Sequence, residues 1–204
     1  MVDVTGDGLA DLLLFEEDAV KVYPSKGKLG YEGPLRHPSE SPLPVTSHPS
    51  AREAIRFADL FGDGGSHLVR IRNGSVECWP NLGYGRFGPV VEMANAPRFD
   101  SEMDASRLFL TDIDGSGATD LVYAHPAHVD IYRNESGNGF SDPVSIPLPR
   151  AWNDLSQISF ADVLGNGAAC LVFTSVNDDL SLDHQYYDFT GGLKPHLLPG
   201  LTTT

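Results

Sequence analysis

The 204-residue sequence predicts an all-β fold: a β-propeller, or a fragment of one, with about four blades that are each a four-stranded antiparallel meander. Three observations predict it. One ten-residue Asp/Gly pattern returns four times, its opening Asp residues 56, 53 and 50 positions apart. Between copies, short apolar runs rich in β-branched and aromatic residues alternate with turn residues, the pattern of strands. The composition, with 21 Gly, 15 Pro and 19 Asp against 9 Glu, favours turns and oxygen-rich loops over helices.

The four copies are Asp3-Val4-Thr5-Gly6-Asp7-Gly8-Leu9-Ala10-Asp11-Leu12, Asp59-Leu60-Phe61-Gly62-Asp63-Gly64-Gly65-Ser66-His67-Leu68, Asp112-Ile113-Asp114-Gly115-Ser116-Gly117-Ala118-Thr119-Asp120-Leu121 and Asp162-Val163-Leu164-Gly165-Asn166-Gly167-Ala168-Ala169-Cys170-Leu171. An aromatic follows the opening Asp by 20 residues at Tyr23, Trp79 and Tyr132, and another by 28 at Tyr31, Phe87 and Phe140. The fourth copy departs, with Leu193 at 31. One domain over 1–204 is expected, with repeats near 1–50, 51–103, 104–153 and 154–204.

In the third copy, Arg107 to Leu110 enters the loop, Leu121 to Ala124 leaves it, Val129 to Tyr132 returns, and Phe140 to Val144 closes the meander. The second copy has Ile55 to Ala58, Leu68 to Ile71, a turn at Asn73-Gly74, and Val76 to Trp79. Ala51 to Phe57 has some helical character, but its alignment with the strands before the other loops makes it a strand. Pro34 to Pro49, with five prolines, reads as a linker between blades. A lone meander cannot bury both faces of its sheet, so copies must stack. The first copy begins at its loop and lacks the strand that precedes the loop elsewhere. The expectation is a piece of a larger propeller or a truncated gene product, with four blades closing on themselves as the alternative.

A net charge of −14 without a local Lys/Arg cluster would repel a phosphate backbone, so no nucleic-acid partner is expected. The longest run of large apolar residues is Leu12 to Phe15, too short for a transmembrane segment. Met1 to Asp7 has no signal-peptide character. Cys78 and Cys170 lie in strand-like surroundings and read as buried free thiols.

Oxygen-bearing side chains alternating with glycines suit a hard cation, and Ca²⁺ is the natural occupant. The third loop offers Asp112, Asp114, Ser116 and Asp120 with the Ala118 carbonyl. The first offers Asp3, Thr5, Asp7 and Asp11. The second, with Phe61 and His67, and the fourth, with Leu164 and Cys170, are expected to bind nothing. In the alternative reading, Asp and Asn hold the glycine turn through backbone N–H groups without any metal. Calcium would stabilise blades, because the loops do not converge on a general base.

His125-Pro126-Ala127-His128 has a spacing zinc could use, but the sequence shows no third and fourth ligand. Tyr23, Trp79 and Tyr132 read as core between blades in preference to sugar-stacking platforms. Asp178-Asp179 and Glu16-Glu17 read as solvated turns. No nucleophile elbow, phosphate loop or Ser/His/Asp set occurs, and no enzymatic activity is expected.

The Asp-x-Asp-Gly-x-Gly-x-x-Asp-Leu loop resembles the FG-GAP or VCBS class of propeller repeat, also found in integrin heads and some lectins. A narrower resemblance rests on Trp79-Pro80-Asn81-Leu82-Gly83-Tyr84-Gly85-Arg86-Phe87, Leu110-Thr111-Asp112-Ile113-Asp114-Gly115-Ser116-Gly117, Ile131-Tyr132-Arg133-Asn134, Ser136-Gly137-Asn138-Gly139-Phe140, and Tyr187-Asp188 with Gly191-Gly192-Leu193-Lys194-Pro195. These look like the middle/N-terminal region of the B component of insecticidal toxin complexes, the TcdB type, over nearly the whole chain. The resemblance implies a non-catalytic propeller that docks on the pore-forming A component. It also implies that B and C components enclose a toxic polypeptide whose release the propeller gates. Such a protein would be cytoplasmic before release and extracellular within the complex. A glycan-binding or other interaction propeller is the alternative.

Overall fold

Four antiparallel sheets, taken up in chain order, make up the computed structural model, which describes residues 2–16, 18–44, 50–99, 102–153, 156–177, 179–189 and, as strand backbone only, 196–199. The chain divides into two compact units, one of Met1–Ser106 with Gly137–Gly139, the other of Arg107–Ser136 with Phe140–Thr204.

The first unit holds a three-stranded sheet, β1 (Leu12–Phe15), β2 (Ala19–Tyr23) and β3 (Leu35–Pro38), and a four-stranded sheet, β4 (Ala54–Ala58), β5 (His67–Arg72), β6 (Ser75–Trp79) and β7 (Val91–Glu92). Both are meanders in sequence order. Side chains of period two supply their apolar faces. Val20, Val22, Leu68, Trp79 and Phe87 are buried together with Val4 and Leu43. Phe15, Phe57 and Phe87 form a ring cluster with centroids 6.1 to 6.3 Å apart. Each fully buried large side chain contributes about 1.5–3 kcal/mol. Trp79 also donates its indole N–H to the Pro42 carbonyl at 3.2 Å.

The second unit holds β8 (Leu108–Thr111), β9 (Asp120–Ala124), β10 (His128–Tyr132) and β11 (Val144–Pro147), then β12 (Ser156–Ala161), β13 (Cys170–Val176), β14 (Leu182–Asp188) and β15 (His196–Pro199). All five residues of β9 are buried, as a strand covered on both faces must be. Val129 and Ile131 of β10 enter a core with Val122, Ile146, Ile158, Leu171 and Phe173, whereas His128 and Asp130 take the other face and are half-buried.

A short excursion recurs before the last strand of each of the first three copies. Pro24, Pro80 and Arg133 carbonyls accept from the N–H groups of Glu32, Gly88 and Ser141 at 2.8, 2.8 and 2.9 Å. Inside those pairs, Ser25 bridges Tyr31, Asn81 bridges Phe87 and Asn134 bridges Phe140. The aromatic spacing of 28 therefore marks the return leg of this excursion.

Several expected boundaries move. Phe140 sits in the excursion, so the closing strand is Val144–Pro147 and not Phe140 to Val144. Arg107 ends a 3₁₀ turn instead of opening a strand. The strand read from Ala51 is a strand, but starts at Ala54. Pro34 to Pro49 is not a linker throughout: Leu35–Pro38 is β3, paired to β2, and Leu43 is buried in the core. Prolines are tolerated there because β3 is an edge strand. The first copy has three strands, with β1 at the other edge. Glu17, Asp178, Gly191 to Pro195 and Leu201 to Thr204 lie outside the described residues.

Candidate functional site

The Asp/Gly loops share one internal architecture. The opening Asp turns its carboxylate inward onto the loop backbone. Asp3 accepts from Gly6 and Gly8 at 2.7 Å, Asp59 from Gly62 and Gly64 at 2.8 and 2.7 Å, and Asp112 from Gly115 and Gly117 at 2.8 Å. Asp162 accepts from Asn166 and Gly167 at 3.1 and 2.9 Å. These N–H donors hold the carboxyls of Asp3 and Asp162 below the ordinary range. Gly115 and Gly117, at φ of 74° and 88°, supply the left-handed geometry that aims their N–H groups at Asp112.

In the first three loops, the residue eight positions after the opening Asp pins the loop to the excursion. Asp11, fully buried, accepts from Val4 N–H at 3.0 Å, Thr5 N–H at 3.1 Å and, with its other oxygen, Ser25 N–H at 2.9 Å. Asp120 does the same with Ile113 at 2.9 Å and Asn134 at 2.7 Å. His67 replaces the carboxylate in the second loop. Its Nδ1 accepts from Asn81 N–H at 3.0 Å, which places the hydrogen on Nε2, 3.0 Å from Asp63 Oδ1. Ser25, Asn81 and Asn134 are the residues that bridge the aromatic return legs. This clamp links the loop, the strand after it and the excursion through one buried side chain.

Against that frame of hydrogen bonds, the proposed calcium ligands separate. In the third loop Asp112, Asp114 and Asp120 each bring a carboxylate oxygen within 4.8 Å of the others. Burial, and the charges of Asp114 and Asp112, push the Asp120 carboxyl up to about 6 even though two N–H groups favour its ionised form. Three converging carboxylate oxygens could hold a hard cation, although Asp112 and Asp120 already turn both of their oxygens to backbone N–H groups, as Asp3 and Asp11 do. The Ser116 N–H donates to both Asp112 and Asp114, and Ala118 is buried. In the first loop the Thr5 hydroxyl donates to Asp11 at 3.1 Å, and Asp7 accepts from Leu9 N–H at 2.8 Å. Asp3, Thr5, Asp7 and Asp11 are thus engaged in holding the turn. The second loop, expected to bind nothing, brings Asp59, Asp63 and His67 within 4.8 Å, although both His67 nitrogens already have partners.

A third convergence joins His125, His128 and Asp130. Asp130 is the residue the sequence reading lacked. The signal was present, since it lies two residues from His128 and so on the same strand face.

Around the first loop, Asp3, Thr5, Ser66, Asn81 and loop glycines line an open cleft of about 350 Å³ with no aromatic floor. Trp79 and Tyr132 are core residues at 1% and 4% exposure, Tyr23 is half-buried, and Tyr31 is exposed. Cys78 and Cys170 are free and buried, and burial raises both thiols, Cys78 to about 12. Among the described residues no helix is long and apolar enough to cross a membrane.

A family model described as an FG-GAP-like repeat matches residues 112–172. No curated protein sequence matches the chain. Among solved structures, the Photorhabdus luminescens Tc holotoxin pore is similar over 96% of this chain and 9% of that one, at 34% identity and a TM-score of 0.82. The TcdB2–TccC3 crystal structure is similar over 95% of this chain and 9% of its own, at 33% identity and a TM-score of 0.65. An Agrocybe aegerita lectin recognising non-reducing terminal N-acetylglucosamine covers 99% of this chain and 51% of its own, at 19% identity and a TM-score of 0.73, a likeness of fold. The chain thus spans about a tenth of the length of the toxin proteins it matches. Its four antiparallel meanders, its FG-GAP-like repeat and its 34% identity along nearly the whole sequence make it a β-propeller segment related to the Tc toxins.

Proposed function

We infer that the chain serves as a non-catalytic docking and gating propeller of a toxin-complex B component, coupling the toxin-enclosing shell of B and C components to the pore-forming A component. The observation that carries this reading is the similarity to the Tc holotoxin pore along 96% of the chain. Clamps that fix the first three loops to their sheets suit a scaffold presenting surfaces. Such a protein is made in the cytoplasm and acts outside the cell within its complex.

The test is binding of the 204-residue chain to the pore-forming component of its own toxin complex, by biolayer interferometry. Saturable binding supports the reading. No binding at tens of micromolar, combined with selective binding on a glycan array, would replace it with the lectin-like alternative. The cleft beside the first loop lacks the aromatic floor that sugar stacking uses.

Calcium is proposed as a stabilising ion of the third loop, held by Asp112, Asp114 and Asp120. A chelator should then lower the melting temperature, and Asp112→Ala with Asp120→Ala should remove that sensitivity. An unchanged wild-type melt would sink the calcium assignment without touching the docking assignment.

A further inference from the structure

We propose that His125, His128 and Asp130 form a binding site for a late first-row divalent metal ion, Zn²⁺ being the natural probe. One ligand atom from each of the three groups lies within 4.8 Å of those of the other two. His125 Nε2 lies 3.0 Å from Asp130 Oδ2, and His128 Nε2 lies 3.6 Å from Oδ1. The two imidazoles are stacked, with centroids 4.3 Å apart and planes 12° from parallel. Both Nε2 atoms therefore approach the same carboxylate.

The backbone holds these groups in place. His125 directly follows β9, and its N–H donates to the His128 carbonyl at 2.8 Å, closing a tight turn around Pro126 and Ala127. The Ala127 and Pro126 carbonyls accept from Leu148 and Trp152 at 2.9 and 2.6 Å, which tie the turn down from the far side. Asp130 stands opposite Tyr123 of β9 and Ser145 of β11, in the middle of a hydrogen-bonded sheet. Donors on such elements keep their geometry without an ion.

The donor set selects the metal. Two imidazoles with one carboxylate suit zinc and its neighbours, whereas calcium and magnesium take oxygen ligands alone. A supporting partner is present too. The Ser145 hydroxyl donates to Asp130 Oδ1 at 2.5 Å, as outer hydrogen bonds orient metal-binding carboxylates. Tyr123 meets the His125 ring edge-on at 5.1 Å and limits its rotation. The His125 and Asp130 side chains are 17% and 15% exposed and His128 is 40% exposed, so an ion enters past His128 and completes its shell with water. Binding requires His125 Nε2 to give up the hydrogen it shares with Asp130, which a neutral imidazole can carry on Nδ1 instead. This site is independent of the docking role.

The test is calorimetric titration of chelator-stripped chain with Zn²⁺ at pH 7.5, with Co²⁺ as a spectroscopic probe. The expected result is one tight equivalent and the visible absorption bands of a four-coordinate Co²⁺ ion. His128→Gln, at the most exposed of the three positions, should weaken that equivalent at least tenfold while the melting temperature in chelator stays unchanged. Ser145→Ala should weaken it several-fold. Absence of a tight equivalent in the wild type, or an equivalent that persists undiminished in both His128→Gln and Asp130→Asn, overturns the assignment.

Discussion

Replacing Asp120 by Asn should stabilise the cation-free chain at neutral pH, although Asp120 is fully buried and accepts two backbone hydrogen bonds. Its carboxyl rises from an ordinary 3.8 to about 6, first because burial strips its charge of water and further because Asp112 and Asp114 stand nearby. At about 1.4 kcal/mol per pH unit, the ionised side chain disfavours the folded state by about 3 kcal/mol above pH 6. The folded carboxyl binds a proton more tightly than the unfolded one. Wild-type stability should therefore increase as pH falls through 6, with the gain complete below 3.8. Asn has the same shape and no charge, but its NH₂ confronts one of the two N–H donors, which costs about 1 kcal/mol. The variant should be more stable by about 2 kcal/mol at pH 7.5, combining these two effects. Below pH 4 the wild type should be at least its equal. Urea unfolding of both proteins in chelator at the two pH values measures the crossover. A variant less stable than wild type by 1 kcal/mol or more at pH 7.5 would refute the reasoning, because the clamp would then outweigh the buried charge.

Asp11→Ala leaves the N–H groups of Val4, Thr5 and Ser25 without their acceptor and should cost about 2–4 kcal/mol in urea unfolding, equally with and without chelator. Gly139→Ala would set a Cβ 2.5 Å from the Ala94 carbonyl oxygen, a backbone atom that cannot yield, and should lower stability by about 1–3 kcal/mol in the same assay. Cys78, with its thiol held at about 12, should escape iodoacetamide at pH 8 in the folded chain and react once urea unfolds it, as intact mass spectrometry would show.

Strand positions are readable where a continuous or alternating apolar run is bounded by turn residues. Leu121 to Ala124 and Val129 to Tyr132 match β9 and β10 to within one residue. Reading failed where local chemistry imitates something else. Phe140 has strand character, yet belongs to an excursion fixed by a bridge to Asn134. Pro34 and Pro38 look like linker chemistry, yet they border or end an edge strand whose outer side needs no donor. The loops themselves were located by their glycines and acids, but their main partners were invisible. The Asn134 N–H that engages Asp120 is 14 residues away, and no local pattern announces it. Asp130 escapes a local reading because the histidine pair has the spacing of a turn motif, while its third partner lies along the strand.

His67 shows what the clamp makes possible. An imidazole there performs the carboxylate's task, accepting from Asn81 as Asp120 accepts from Asn134, and the second loop keeps its glycine turn with Phe61 in place of an acid. Loop shape is thereby uncoupled from loop charge. Mutation can strip the acids from the outer positions of one copy, or install aromatics there, without undoing the blade beneath, provided the buried acceptor survives. A repeat array built this way can diversify its exposed loops one by one, and a library randomised at positions such as 66 and 116, whose side chains take no part in the clamps, should yield folded proteins with new surfaces.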